Sequence, residues 1–495
     1  MEYELIAAVD LGSNSFRLQV ARVVGDQIYP LDTLKESVRL AAGLQPDKTL
    51  DLASQARGLA ALRQFGERLR GFDPMAVRAV ATNTLRVARN APAFLKAAEE
   101  ALGFPIDVIA GREEARLIYV GVAHSLPTSA ERRFVVDIGG GSTEFIIGRG
   151  VDPLLTESLY MGCVSYSLKY FPGGKVDQAR FREAEIAAAR ELENIAHEYL
   201  GMGWDVAIGS SGTAREIEEI IDQNGLNPGR VSGITREGLT RLKERLLAAG
   251  SAESLGLQGM RSDRIPVLPG GLAILSAVFE FFELEHMGYG DGALRLGVLY
   301  DLLGRFHHHD MRDATVEQFM RRYQVDIGQA RRVEKQALVI FQSLWTGRGP
   351  EHADAQHFLT WAARLHEIGI SVAHSGYHKH GAYILTFADM PGFSKKDQGR
   401  LAFLVLGHRG KLEKISALAR DEREWLLVFA LRFASLFNRA RHGEPPSLVA
   451  QRVAKGFRLK LPSGWLLENT MTRGALDDEI RLWRAIGFEL DVECL

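Results

Sequence analysis

The 495-residue chain holds only two cysteines, Cys163 and Cys494. Two thiols cannot build a disulfide framework, so a small secreted scaffold is excluded. Long apolar runs are also missing. The nearest, Gly270 to Phe282, falls short of the roughly 20 residues that a membrane span requires. Met1-Glu2-Tyr3-Glu4 carries no basic stretch leading into an apolar segment, so no secretory leader is read and a cytoplasmic location is expected. Proline is scarce, at 16 residues, and the 46% hydrophobic and 25% charged content is ordinary; collagen-like and disordered chains are therefore excluded. A strong charge of one sign is absent too, with a net of −2, and no specific nucleic-acid partner is expected.

The small net charge hides an asymmetry. Residues 1–303 carry 32 Lys+Arg against 40 Asp+Glu, whereas residues 304–495 carry 28 against 22 and hold 11 of the 14 histidines. A basic back half could hold a polyanion, or its charges could simply be solvated. At about 150 residues per domain the length suggests about three domains.

Glycine is plentiful, at 50 residues, and its placement is informative. The pattern predicts strands over Leu5–Val9, Ser15–Val24 and Gln27–Lys35, a helix over Leu50–Arg70, and a strand over Val77–Ala81. A helix over Ala91–Leu102, a strand over Ile106–Ala110 and a helix from Gly111 to about Ala123 complete an alternating α/β unit. The opening is then repeated. Val9-Asp10-Leu11-Gly12-Ser13-Asn14-Ser15-Phe16-Arg17 aligns with Val136-Asp137-Ile138-Gly139-Gly140-Gly141-Ser142-Thr143-Glu144, each pair offset by 127 positions. A period of that size indicates a duplicated domain rather than a solenoid, with two glycine hairpins facing one cleft. Helices are predicted over Asp177–Leu200, Leu272–Phe282 and Ala293–Leu303. Beyond residue 304 helical patterning dominates to about Arg441, and the tail from Ser447 reads as a small α+β appendage. The expected domains are 1–124, 125–303, 304–446 and 447–495.

An aspartate closing a buried strand before a glycine turn brings a carboxylate and several backbone N–H groups to one place. Such N–H clusters bind phosphate oxygens, and the carboxylate can hold Mg²⁺. Asp10, Asp137 and Glu144 are the candidate metal carboxylates. Glu113 and Glu114 open a helix, as acids complementing its dipole or as a general base that aligns water. Arg86 is a phosphate clamp or a solvated helix arginine. Gly209–Thr213 and Pro269–Gly271 are further candidate phosphate or substrate loops. His366, His374, His378 and His380 could ligate a metal, although water and backbone more often satisfy such histidines.

These hairpins, with Glu113–Ile118, Met161–Ser165, Asp291–Arg295 and His374-Ser375-Gly376, resemble the exopolyphosphatase/guanosine pentaphosphate phosphohydrolase family. That family lies within the acetate-and-sugar-kinase, actin and heat-shock-chaperone ATPase superfamily. The resemblance implies two actin-like α/β domains, a helical domain similar to HD-type phosphohydrolases, and a small C-terminal domain. It implies Glu114 as the catalytic glutamate and Mg²⁺ on Asp137 and Glu144, with Asp10 nearby. Phosphate contacts are implied for Ser13, Asn14, Ser15, Arg86, Gly139, Gly140, Gly141 and Ser142, with Ser211, Gly212 and Thr213 as a further loop. Glu367 stands where an HD site would place its aspartate, which argues against a second metal centre. A homodimer is implied, with peripheral membrane association as an option. Gly162–Tyr166 and Tyr170–Gly174 look closer to exopolyphosphatases, so hydrolysis of the terminal phosphoanhydride of inorganic polyphosphate is the expectation. Guanosine pentaphosphate is the rival substrate; an ATP-dependent kinase on the same fold and a sensor without turnover are more distant rivals.

Overall fold

A computed structural model describes residues 4–494 except 128, 230, 307–309, 346, 348, 420 and 443. The described chain divides into two compact units, Met1–Asp310 and Met311–Leu495.

The first lobe of the N-terminal unit contains β1 (Leu5–Leu11), β2 (Phe16–Val24) and β3 (Gln27–Glu36), then α1 (Leu52–Arg68) and β4 (Val77–Ala81). It continues with α2 (Asn83–Val87), α3 (Ala91–Leu102), β5 (Ile106–Val108) and α4 (Gly111–Ser125). The strands form one sheet ordered β3-β2-β1-β4-β5. β1 is central and buried on both faces, which explains its nearly unbroken apolar run. The Asp51 side chain accepts a hydrogen bond from the Ser54 amide at 2.6 Å and so starts α1.

The second lobe repeats this plan with β6 (Arg132–Ile138), β7 (Thr143–Arg149) and β8 (Asp152–Leu159). There follow α5 (Cys163–Tyr170), α6 (Gln178–Met202), β9 (Val206–Ser210), α7 (Gly212–Gln223), β10 (Ile234–Thr235) and α8 (Arg236–Ala249). α9 (Leu268–Phe281), β11 (His286–Gly290) and α10 (Leu294–Phe306) close the unit. Its sheet order is β10-β11-β9-β6-β7-β8. In both lobes an antiparallel three-strand meander is extended on one side by two parallel strands, and in the second lobe the short β10 adds an antiparallel edge. The duplication read from the sequence is therefore present in the topology.

Two local expectations are corrected. Pro269-Gly270-Gly271 is not a loop but the first turn of α9, where proline needs no amide partner. α10 does not belong to the second lobe alone. Val298, Leu299, Leu302 and Leu303 join a core with Ile6 and Val80 of the first sheet, Leu117 and Val122 of α4, and Val135 and Ile146 of the second sheet. α4 and α10 thus fill the space between the sheets, which is why α4 is buried on almost every side.

The C-terminal unit contains α11 (Met311–Arg322), α12 (Ile327–Leu344), α13 (Pro350–Leu365), α14 (Tyr377–Phe387) and α15 (Lys395–Gly407). α16 (Glu413–Ser416), α17 (Glu422–Phe437), β12 (Val449–Val453), β13 (Gly456–Leu461), α18 (Ser463–Glu468), α19 (Thr470–Ala485) and β14 (Glu489–Cys494) complete it. The tail is not a separate appendage. Phe457, Leu459, Trp483 and Leu490 share one core with Trp425 and Phe429 of α17, and the Phe457 ring lies 4.3 Å from that of Phe429.

Candidate active site

The two glycine turns and the starts of α4, α5, α7 and α10 meet around one cavity in the N-terminal unit. From the first hairpin come Asp10, Gly12, Ser13, Asn14, Ser15 and Arg17. From the second come Asp137, Gly139, Gly140, Ser142 and Glu144. Glu114 and Ile118 enter from α4, Ser211 and Gly212 from the start of α7, and Leu294 and Arg295 from the start of α10. The approach is close: a Cβ at Gly162, before α5, would stand 2.4 Å from the Gly140 carbonyl carbon, so the turn can rest directly on the helix start.

The acids are crowded and largely buried. Asp137 and Glu144 face each other across the β6–β7 ladder. Burial pushes the Asp137 carboxyl up to about 7, despite a hydrogen bond donated by the Ser210 hydroxyl. Burial, and then the Asp137 charge, push Glu144 up to about 7 as well, although the Ser158 hydroxyl donates to it at 2.8 Å. Glu114 is raised well above the usual carboxylate range by burial and by Glu144, against the opposing pull of Arg86. Burial also raises Asp10, against Arg295 and Arg17, and its Oδ1 is buried without a hydrogen-bond partner.

Three residues expected on the cavity wall stand elsewhere. Arg86 lies behind Glu114: its Nη1 contacts Glu114 Oε2 at 3.2 Å and donates to the Ile109 carbonyl at 2.9 Å. Gly141 packs against Asn83. The Thr213 hydroxyl donates to the Ile138 carbonyl at 3.1 Å and accepts from Arg264, so it braces the end of β6. Ser211, by contrast, lies on the wall in a strained conformation, with φ 122° and ψ 162°, a region otherwise reserved for glycine. Its hydroxyl oxygen accepts from the Thr213 and Ala214 amides.

The cations on the wall are Arg17, Arg264 and Arg295, which were assigned no role from the sequence. Arg17 is held below the usual guanidinium range by burial and by Arg295, against the pull of Asp10. Arg264 is anchored by Glu216 at 3.0 Å and lies against Gly212. The only sequence signals were positional: Arg17 closes the first repeat and Arg295 closes Asp291–Arg295.

The site suits an anion rich in oxygen: backbone N–H groups from two turns, three arginines and a set of hard carboxylates. Among the described residues no three of His, Cys, Asp and Glu gather as a self-sufficient metal group. Mg²⁺ held by one or two carboxylates completes its shell with water and a substrate's phosphates. The unpartnered Asp10 oxygen and the opposed Asp137 and Glu144 are groups that such a cation would satisfy.

The histidines of the C-terminal unit read differently. The His366 Nδ1–H donates to the Ala363 carbonyl (2.7 Å), and the Glu367 carboxylate accepts from Arg441 at 2.6 Å.

Comparison with known proteins agrees with this chemistry. The chain matches the Ppx/GppA phosphatase family over residues 19–306 and domain III of the Ppx/GppA phosphatases over residues 311–480. It is 37% identical to a guanosine-5′-triphosphate,3′-diphosphate pyrophosphatase of Aeromonas hydrophila, over 98% of both chains. Among solved structures it resembles an exopolyphosphatase from Cytophaga hutchinsonii (TM-score 0.55, 22% identity, 61% of this chain and 98% of that one). It also resembles the Ppx/GppA family member of Aquifex aeolicus (TM-score 0.51, 25% identity, 61% of this chain and 99% of that one). The fold is the duplicated actin-like one, and the chain belongs to the Ppx/GppA phosphatase family, as a hydrolase of phosphoanhydride bonds.

Proposed function

We propose that the chain hydrolyses the outermost phosphoanhydride of guanosine pentaphosphate, releasing orthophosphate and leaving the tetraphosphate. The observation that carries this choice of substrate is the full-length similarity to the Aeromonas pyrophosphatase. It outweighs the short Gly162–Gly174 pattern that favoured inorganic polyphosphate, which becomes the second reading because its chain end presents the same bond.

In this reading the terminal phosphate lies between the two glycine turns. Backbone N–H groups and Arg17, Arg264 and Arg295 hold its oxygens, so charge is neutralised where it develops. Glu114 orients a water for attack on phosphorus and takes its proton as the P–O bond to the leaving phosphate breaks. Burial raises its affinity for protons above that of an exposed glutamate, which suits a base, and Arg86 opposes that rise. Asp137 and Glu144, with Asp10 nearby, would hold Mg²⁺, which supplies charge neutralisation on the phosphates when bound.

The test is phosphate release from guanosine pentaphosphate and from long polyphosphate, side by side, without an acceptor. A kcat/KM at least tenfold higher on the nucleotide is expected. A preference for polyphosphate would restore the exopolyphosphatase reading, and release from neither would sink both.

A further inference from the structure

Glu113 and Glu114 are neighbours in the first turn of α4, and the helix sends them to opposite sides. Glu114 reaches the cleft, whereas Glu113 enters a buried ion network. There the Arg116 guanidinium donates to both Glu113 oxygens at 2.8 Å and also to the Asp301 carboxylate of α10. Arg78 of β4 donates to the same carboxylate, and Arg305 approaches it at 3.3 Å. Three arginines thus converge on one buried aspartate and hold it ionised against the cost of burial.

A second contact joins the same two helices. A Cβ at Gly297 would stand 1.7 Å from the Leu117 carbonyl oxygen, and one at Gly121 would stand 2.2 Å from that of Ala293. The backbones of α4 and α10 therefore touch where they cross. The glycine contacts set the distance between the two backbones, and the Asp301 network, one turn further along α10, ties side chains of α4 to α10 at the Glu113 end. Both helices begin at the cleft, where α4 presents Glu114 and α10 presents Arg295. Buried ion networks are poor devices for stability alone, since apolar replacements often do as well. Their use is in fixing one geometry.

We propose that Asp301 is a positioning residue: its hold on Arg116 and Arg78 fixes the swivel of α4 on α10 and so the place of the Glu114 carboxyl in the cleft. The proposal rests on the reading of Glu114 as the residue that activates water.

The test uses the full chain carrying Asp301→Asn, with Phe65→Leu as a control of comparable stability loss in the first lobe's own core. Phosphate release is measured together with hydrogen exchange of segments 111–118 and 293–299 in the absence of substrate. The expected result is a kcat lower by about 10- to 100-fold, as small misplacements of a reacting group produce, with KM within about twofold. Exchange should quicken in both segments. Combined with Glu114→Gln, the change should cause no further loss, because a misplaced base costs nothing once the base is gone. Asp301→Glu should recover part of kcat, and Phe65→Leu should leave it near the wild-type value. If Asp301→Asn does not fold, Arg116→Lys keeps the charge, loses the fork and carries the same expectations. An unchanged kcat, a loss that adds fully to that of Glu114→Gln, or an equal loss in Phe65→Leu would overturn the proposal. Absence of phosphate release by the wild type on either substrate counts against the proposed function instead. In that case the exchange data alone decide: unchanged rates in segment 111–118 overturn the positioning role, and faster rates support it.

Discussion

The hairpin of the first lobe and its copy in the second share a backbone course and differ in charge balance. In β1–β2, Asp10 stands directly opposite Arg17; in β6–β7 the same two positions are Asp137 and Glu144. Opposite charges across a ladder support each other, and like charges repel. In the first hairpin Arg17 and Asp10 favour each other's charge, although burial still raises Asp10 and lowers Arg17. The second holds two carboxyls pushed up to about 7 each, Asp137 by burial and then the charges of Glu114 and Asp10, and Glu144 by burial and then the charge of Asp137. Duplication supplied two sets of backbone donors, and where the first hairpin has arginine opposite its aspartate the second has glutamate; in the proposed reading the first serves the phosphate oxygens and the second serves Mg²⁺.

The sharpest test of this division lies on the third acid, Glu114, which faces the acidic hairpin. Glu114→Gln should lower kcat by about 10²–10⁴-fold while substrate binding stays nearly intact, because shape is kept and the base is lost. A wild-type rate in steady-state phosphate release would reduce Glu114 to a helix-start acid. Next come Asp137→Asn and Glu144→Gln, each of which should raise the Mg²⁺ concentration for half-maximal activity by about tenfold or more, since a hard cation loses a charged oxygen. An unchanged Mg²⁺ titration in both would remove them from the metal site. A smaller effect is expected in the first hairpin. Arg17→Gln should raise KM about tenfold with little change in kcat and no change in the Mg²⁺ titration, as befits a lost charged hydrogen bond to phosphate. If Arg17→Gln shifted the Mg²⁺ requirement as far as Glu144→Gln does, the two hairpins would not divide the work.

The parts of this arrangement that were legible in the sequence are those carried by local pattern. The 127-residue offset exposed the duplicated hairpins because an aspartate before a glycine turn is a short-range feature. Glu114 was legible as an acid in a helix's first turn, though not the opposite course of Glu113, which depends on helix phase. Phase also explains the misplacements. Thr213 lies one residue beyond Gly212, and that single step turns its hydroxyl from the cavity to the Ile138 carbonyl. Arg86 was recognised but its partner was not, because Glu114 lies 28 residues away. Arg264 and Arg295 reach the cavity only after the second lobe has folded back, and nothing in their immediate neighbours announces it. The same holds for α10, which follows the second repeat in sequence yet packs on β1 and α4. The tail from residue 447 looked separable because its strand alternation is local, whereas the core it shares with α17 is not.

The smallest effect sharpens the comparison without any substrate. Asp137 and Glu144 hold protons in the folded chain to about pH 7, whereas unfolded carboxyls release theirs near pH 4. Between those values the folded state binds more protons, so stability falls as pH rises. The favourable contribution is complete below about pH 4, is lost through pH 7, and changes little above it. Each carboxyl should account for about 1 kcal/mol between pH 6 and pH 8, a shift of a few degrees in melting temperature for a unit of this size. Asp301, held below the usual range, acts with the opposite sign but only under acid conditions, well outside this window. Asp10 and Glu114 are raised too and remain in a double variant. Without divalent cations, wild-type protein should therefore lose more melting temperature from pH 6 to pH 8 than Asp137→Asn/Glu144→Gln does, and the variant should be the more stable of the two at pH 8. Mg²⁺ competes with protons for the same oxygens, so it should stabilise the wild type more at pH 8 than at pH 6 and the variant little at either. Arg17→Gln supplies the contrast: it leaves both acids of the second hairpin in place and should leave the Mg²⁺-induced rise unchanged. Equal pH slopes in wild type and double variant would mean that the second hairpin carries no stored repulsion, and the two hairpins would then differ in sequence but not in electrostatic function.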